Sequence, residues 1–254
     1  MVRLILAIIF VLLFLVLSIP LMIFAWIFGK FNRPAADKFS LAVVNWAFRV
    51  VLFIGGCKRI IIGRERIPVD RAVVYIPNHR SFFDAVLTYP NVVGPTGFIA
   101  KNSLEKVPLL NVWMRLLHCM FLDRSDAKKG LQLILNAIEQ AKTGISFCIF
   151  PEGTRNRNYD TDDLLPFHNG SLKIAVKSGA PVIPVTIIGS QCMFETHAPF
   201  FRKTTVVIEY GEPIYIENLE KDAQKNIGNL VSEIIKETYI RNKETYAAQL
   251  AKNK

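Results

Sequence analysis

Residues 4–28 run for 25 positions without a charged side chain, between Arg3 and Lys30. As one helix, such a run extends roughly 37 Å at about 1.5 Å per residue, more than the roughly 30 Å hydrocarbon core of a bilayer. Nothing else restricts the fold as strongly, because a segment this apolar has to be buried in lipid or against protein. It does not have the form of a cleaved leader: the run is too long and no small-x-small cleavage pattern follows it. Pro20 divides it into a longer and a shorter part, each too short to span alone. Residues 37–55 add a second largely apolar segment, with Trp46 and Arg49 suited to a water–lipid boundary. Two arrangements satisfy the pattern, a single crossing or a helical hairpin sunk into one leaflet. Both attach the chain to a membrane.

Charge points the same way. The 254 residues are 51% apolar, yet the formal net charge is +10. Residues 30–80 hold ten Lys or Arg against Asp37, Glu65 and Asp70. An excess placed directly after the hydrophobic N-terminus is expected of a cytoplasmic face lying on acidic lipid headgroups. The cations form no recognisable nucleic-acid module, so no nucleic-acid partner is expected. Cys57, Cys119, Cys148 and Cys192 are isolated in apolar surroundings, as small core residues in a reducing compartment would be.

From Lys58 the chain alternates. Short apolar, β-branched runs at 59–62, 73–76, 98–101, 119–122, 145–150, 182–188 and 205–210 predict strands. Helices are predicted at 81–88, 109–117, 126–142 and 171–177. A last helix carries Ile227, Leu230, Val231, Ile234 and Ile235 on one stripe before a charged tail. This alternation predicts an α/β fold, a largely parallel sheet covered by helices on both faces, preceded by an N-terminal hydrophobic helical membrane anchor. Residues 1–57 are read as the anchor and 58–254 as the α/β domain.

The chemistry-bearing residues follow the strands. Asn78-His79-Arg80-Ser81-Phe82-Phe83-Asp84 comes after the strand at 73–76, on the rim where open α/β sheets bind their ligands. A helix capped by Ser81 or Asn78 brings Asp84 back beneath His79 within its first turn. The carboxylate can then hold one imidazole nitrogen and leave the other basic, the base-plus-orienter half of a triad. A loop histidine beside a capping acid has the same spacing, so the pair is not decisive alone.

Pro151-Glu152-Gly153-Thr154-Arg155 follows the strand at 145–150. Gly153 removes the side chain where backbone must turn or approach a ligand. Arg155 offers a planar fork matched to phosphate oxygens, and Glu152 can hold that arginine or accept a substrate hydroxyl. A surface turn with a solvated ion pair has the same composition. Arg124 ends Leu122-Asp123-Arg124, and Lys101 ends Phe98-Ile99-Ala100-Lys101. Solvated strand-end charges account for each singly; several cations on one rim with a His–Asp pair are better explained by a phosphate pocket.

Other mechanisms lack their parts. There is no phosphate-binding glycine loop ending in Lys-Ser or Lys-Thr, and no Gly-x-Ser-x-Gly elbow. Four scattered histidines without partners at ligand spacing predict no metal site. Ser81, two residues from His79, suits a cap better than a nucleophile. A base, a phosphate pocket and a membrane anchor together point to deprotonating a hydroxyl on a phosphorylated, lipid-like acceptor.

The stretch from Asn78 to Asp84, Phe121-Leu122-Asp123-Arg124, Phe150-Pro151-Glu152-Gly153-Thr154-Arg155 and Val182-Ile183-Pro184-Val185 resemble, in order, the four motifs of the glycerolipid acyltransferases. The likeness runs from about residue 58 to 211 and is closest to the bacterial-type 1-acyl-sn-glycerol-3-phosphate acyltransferases. It implies that His79 is the general base, Asp84 its orienting partner, and Arg124, Glu152 and Arg155 ligands of the glycerol phosphate. Lys101 resembles a further phosphate contact, and Pro184 lines the acyl-donor side. The implied reaction transfers an acyl group from acyl-CoA or an acyl-carrier-protein thioester to lysophosphatidic acid, without a cofactor, giving phosphatidic acid. Glycerol 3-phosphate and other lysophospholipids are alternative acceptors; a lipid hydrolase and a non-catalytic lipid-binding protein are alternative classes. One departure is His118-Cys119-Met120, where a glycine often opens the second motif, which leaves that turn open.

Overall fold

The computed structural model describes residues 1–168 and 170–252. Three helices come first, α1 (Val2–Leu17), α2 (Ile19–Phe28) and α3 (Arg33–Gly55), followed by strand β1 (Cys57–Ile62). The chain continues through β2 (Val74–Pro77), α4 (Asp84–Thr88), β3 (Thr96–Lys101), α5 (Leu110–Leu116), β4 (Met120–Leu122), α6 (Ala127–Lys142) and β5 (Ser146–Cys148). It ends with α7 (Lys173–Ser178), β6 (Val182–Ile188), β7 (Thr204–Tyr210), α8 (Lys221–Lys225) and α9 (Ile227–Lys252).

The strands form one sheet in the order β1-β7-β6-β2-β5-β3-β4. β6, β2, β5, β3 and β4 are mutually parallel. β7 runs antiparallel to β6, and β1 follows β7. Side chains alternate across the pleat. Val74 and Ile76 pack with Phe147 and Val182 under α6, α7 and α9, while Tyr75 packs with Ile183 and Val185 under α3, α4 and α5. Burial on both faces explains why these strands read as continuous apolar runs.

The N-terminal run is broken where Pro20 predicts a break. α1 and α2 meet at Ser18 with a 48° bend, and Pro20 sits in the first turn of α2, where its missing N–H is no loss. α3 begins behind Asn32, whose Oδ1 accepts the Ala35 N–H at 3.1 Å. It ends at Gly56, whose φ of 72° suits glycine. α3 is long and apolar enough to cross a membrane, and α1 with α2 reach that length only as a bent pair.

These helices are not an appendage. Met22, Ala25, Val44 and Leu52 share one core with Tyr75, Leu87 and Ile183. The Ser18 hydroxyl accepts a hydrogen bond from Trp113 Nε1 at 2.9 Å, and Phe14 stacks on the same indole. Their outer side still exposes Leu6, Leu13, Leu17, Phe24 and Trp26.

The charged C-terminal tail departs from expectation, since it is helical through Lys252 as part of α9. Tyr239 is buried against β6 and β7, Asn242 is buried beside it, and Arg241 and Asn242 donate to the Glu209 carboxylate at 2.7 Å each. Partners on β7, invisible in a local pattern, hold this helix in place.

Candidate active site

β2 ends at Pro77, and Asn78 then continues its pairing through a side chain. Its Oδ1 accepts the Ile187 N–H at 2.7 Å and its Nδ2 donates to the Ile187 carbonyl at 3.0 Å. Asn78 is therefore a strand clamp rather than a helix cap, and it sets where His79 leaves the sheet. The His79 N–H donates to Glu152 Oε1 at 2.6 Å, and its carbonyl accepts the Asn156 N–H at 2.7 Å. Its ring lies on Phe150, with centroids 4.1 Å apart. Backbone and ring are thus both constrained.

His79 Nδ1 lies 2.8 Å from Asp84 Oδ2, which also accepts the Arg80 and Ser81 N–H groups at 2.7 Å each. α4 begins at Asp84 with no side chain capping it, so Ser81 is not its cap, and the Asp84 carboxylate serves the turn that precedes the helix. One carboxylate oxygen thus closes the loop and orients the imidazole, leaving Nε2 as the nitrogen for proton transfer. The Ser81 hydroxyl donates to Glu195 Oε2 at 2.9 Å.

Glu152 is buried, with Oε1 on the His79 N–H and Oε2 on the Leu165 N–H at 2.9 Å. Burial pushes its carboxyl above the usual range, against those two amides and the nearby His79 and Arg80, which pull it down. The expectation that Glu152 holds Arg155 is corrected: each of its oxygens accepts a backbone N–H, and Arg155 pairs elsewhere. Arg155 is held by Glu195, Nη1 to Oε1 at 3.3 Å, and its guanidinium lies 3.3 Å over the Phe82 ring. Glu195 Oε1 also accepts the Phe82 N–H at 2.7 Å, so one buried acid fastens the histidine loop to the arginine loop. Sequence reasoning missed Glu195. It is 114 positions from Ser81 and follows no strand-end pattern.

Arg80 is a second tie. Fully buried, it donates to the carbonyls of Asn158, Thr161 and Asp163 and lies 5.0 Å from the Tyr239 ring centroid on α9.

Gly153 adopts φ 69°, and a Cβ there would stand 2.8 Å from the His168 imidazole and 3.3 Å from Arg124 Nη1. Glycine is required because both side chains converge on this turn. Arg124, His168 and Lys173 border a groove of about 630 Å³ whose walls include Leu122, Ile134 and Phe150. Phe150 touches His79 as well, so the groove opens beside that histidine. Lys101 is exposed at the end of β3, in register with Leu122. His168 had no motif to announce it. Among the described residues no three His, Cys, Asp or Glu side chains gather as a metal-ligand set.

A crystal structure of the 1-acyl-sn-glycerophosphate (LPA) acyltransferase PlsC from Thermotoga maritima superposes with a TM-score of 0.74 at 28% identity, covering 95% of this chain and 98% of that one. A 1-acyl-sn-glycerol-3-phosphate acyltransferase of Borreliella burgdorferi is 28% identical over 78% of this chain and 78% of its own length. A probable 1-acyl-sn-glycerol-3-phosphate acyltransferase of Mycoplasma pneumoniae is 27% identical over 82% and 80%. The acyltransferase family model matches residues 58–188, just over half of the chain and the whole span from His79 through Arg155 to His168. By that match the chain belongs to the acyltransferase family and is an acyl-transferring enzyme.

Proposed function

We propose that this enzyme is a membrane-bound 1-acyl-sn-glycerol-3-phosphate O-acyltransferase, making phosphatidic acid for phospholipid synthesis. Its acyl donor is a thioester of coenzyme A or of acyl carrier protein, and the proposed steps use no metal or prosthetic group. The observation that carries the reading is the 2.8 Å contact of His79 Nδ1 with Asp84, beside a groove bordered by cations and apolar residues.

His79 Nε2 takes the proton of the acceptor's free hydroxyl as that oxygen attacks the thioester carbonyl. The carbonyl π pair moves onto oxygen, then returns as the C–S bond breaks. The departing thiolate receives the proton from His79, so no acyl-enzyme forms. Asp84 stabilises the imidazolium that exists between the two transfers. Arg124, Arg155 and Lys101 hold the acceptor phosphate, Gly153 lets backbone approach it, and Glu152 positions His79 through its backbone N–H. Residues 1–57 attach the enzyme to an anionic bilayer and 58–254 carry the chemistry. The excess of Lys and Arg at residues 30–80 supports a cytoplasmic-face location.

The test incubates detergent-purified protein with a panel of lysophospholipids and acyl thioesters and identifies products by mass. Phosphatidic acid should form, and His79→Ala should lower turnover by roughly a hundredfold or more. Free fatty acid without diacyl product, or normal turnover by the variant, would overturn the assignment.

A further inference from the structure

The edge of the sheet opposite His79 holds the larger cavity, about 1120 Å³. One wall is α3. The other is made by the segments that enter β3, β4 and β5 at their N-terminal ends, with Pro95, His118 and Ile145 among the lining residues. The reaction above uses none of these groups.

The charges lining the cavity are unbalanced. Arg33, Lys38, Arg49 and Arg115 line it with a single acid, Asp37. Asp37 is already engaged, 2.9 Å from Arg33 and 3.0 Å from His118 Nε2, and Arg115 pairs with Glu105. Lys38 and Arg49 remain without an acidic partner within ion-pair distance among the described residues. Arg49 makes only a long 3.4 Å bond to the Pro90 carbonyl. They lie eleven positions apart, about three helical turns, and so share one face of α3. A cavity lined by cations with no acid left to neutralise them concentrates anions.

The wall continues onto apolar surface. Leu41 lines the cavity, Ala42 both lines it and is exposed, and Trp46 is exposed on the next turn of α3. A phosphate seated against Lys38 and Arg49 would therefore leave its acyl chains along the apolar helices, whereas a free anion would gain nothing from that wall.

We propose that this cavity is a second lipid site, separate from the catalytic groove, which binds the phosphate of an anionic phospholipid headgroup through Lys38 and Arg49. It rests on the membrane attachment proposed above, not on the identity of the acceptor.

The test measures the melting temperature of the full chain in detergent, with dihexanoyl phosphatidylglycerol, dihexanoyl phosphatidylcholine or inorganic phosphate at equal concentration. The anionic lipid should raise Tm by about 3 °C near ten times its Kd. Lys38→Gln/Arg49→Gln should weaken that Kd roughly fivefold per cation removed. Lys38→Gln alone, at an exposed side chain, serves should the double variant not fold. Acyl transfer assayed in parallel on micellar acceptor should be unchanged, which separates this site from the catalytic reading. No shift with the anionic lipid overturns the proposal, as does an equal shift with phosphatidylcholine, with inorganic phosphate or in the variants.

Discussion

Asp84→Asn tests the proton-transfer scheme at the atom on which it depends. Asp84 Oδ2 accepts three N–H donors, from His79, Arg80 and Ser81, while Oδ1 is buried with no partner. Asparagine can place its carbonyl oxygen at the Oδ2 position and keep all three bonds. Its NH₂ then falls where nothing accepts it, a cost of about 1–3 kcal/mol of stability. Loop geometry and imidazole tautomer survive. The negative charge does not. With about 4 Å between charge centres and an effective dielectric of about 20, the carboxylate stabilises the imidazolium by about 4 kcal/mol. Losing it should lower kcat roughly a thousandfold. The assay is phosphatidic acid formation at saturating acceptor and thioester, with circular dichroism and denaturant unfolding on the same preparation. A folded variant retaining kcat within about threefold of wild type would show that no imidazolium develops in the rate-limiting step, and the role given to Asp84 would be wrong.

Arg155→Lys keeps the charge but loses both the fork held by Glu195 and the stack on Phe82. Acceptor KM should rise about tenfold with a smaller change in kcat, and an unchanged KM in Arg155→Ala would remove Arg155 from the phosphate pocket. Glu152→Gln puts an NH₂ against one of two backbone N–H groups and should cost about 1–3 kcal/mol. Burial raises the Glu152 carboxyl in the folded state, so its titration favours folding below the ordinary glutamate range, and that contribution is lost as pH rises through the raised value. The stability gap between wild type and Glu152→Gln should therefore be larger at pH 4 than at pH 7.5 in denaturant titrations, and a gap that widens with pH refutes this. Deleting residues 1–55 removes Met22, Ala25, Val44 and Leu52 from the shared core, each worth about 1.5–3 kcal/mol for the larger side chains. That approaches the whole stability of a typical domain. Activity should be lost equally on bilayer and micellar acceptor, whereas selective survival in micelles would mean that the helices only deliver substrate.

What the sequence determined by itself is what neighbouring residues decide. Strands buried on both faces leave largely apolar runs, so β2, β5 and β6 were readable. The rim followed from them, because the residue after a strand's C-terminal end has nowhere else to go; this brought His79, Gly153, Arg124 and Lys101 to one edge. The His79–Asp84 spacing was legible because a five-residue loop closes on itself.

Contacts between distant segments left no local mark. Glu195 reaches the loop that carries His79 and Ser81 from 114 residues away, and its own surroundings show no motif. Glu152 could be placed beside Arg155 by sequence, but the rotation of the turn at Gly153 sent it inward to the His79 amide. A hydrophobic segment looks alike whether lipid or protein covers it, so only tertiary packing shows α1–α3 sharing the sheet's core while exposing their outer faces. The charged tail became helix for the same reason: Glu209, far away on β7, provides the partners that its own composition lacks.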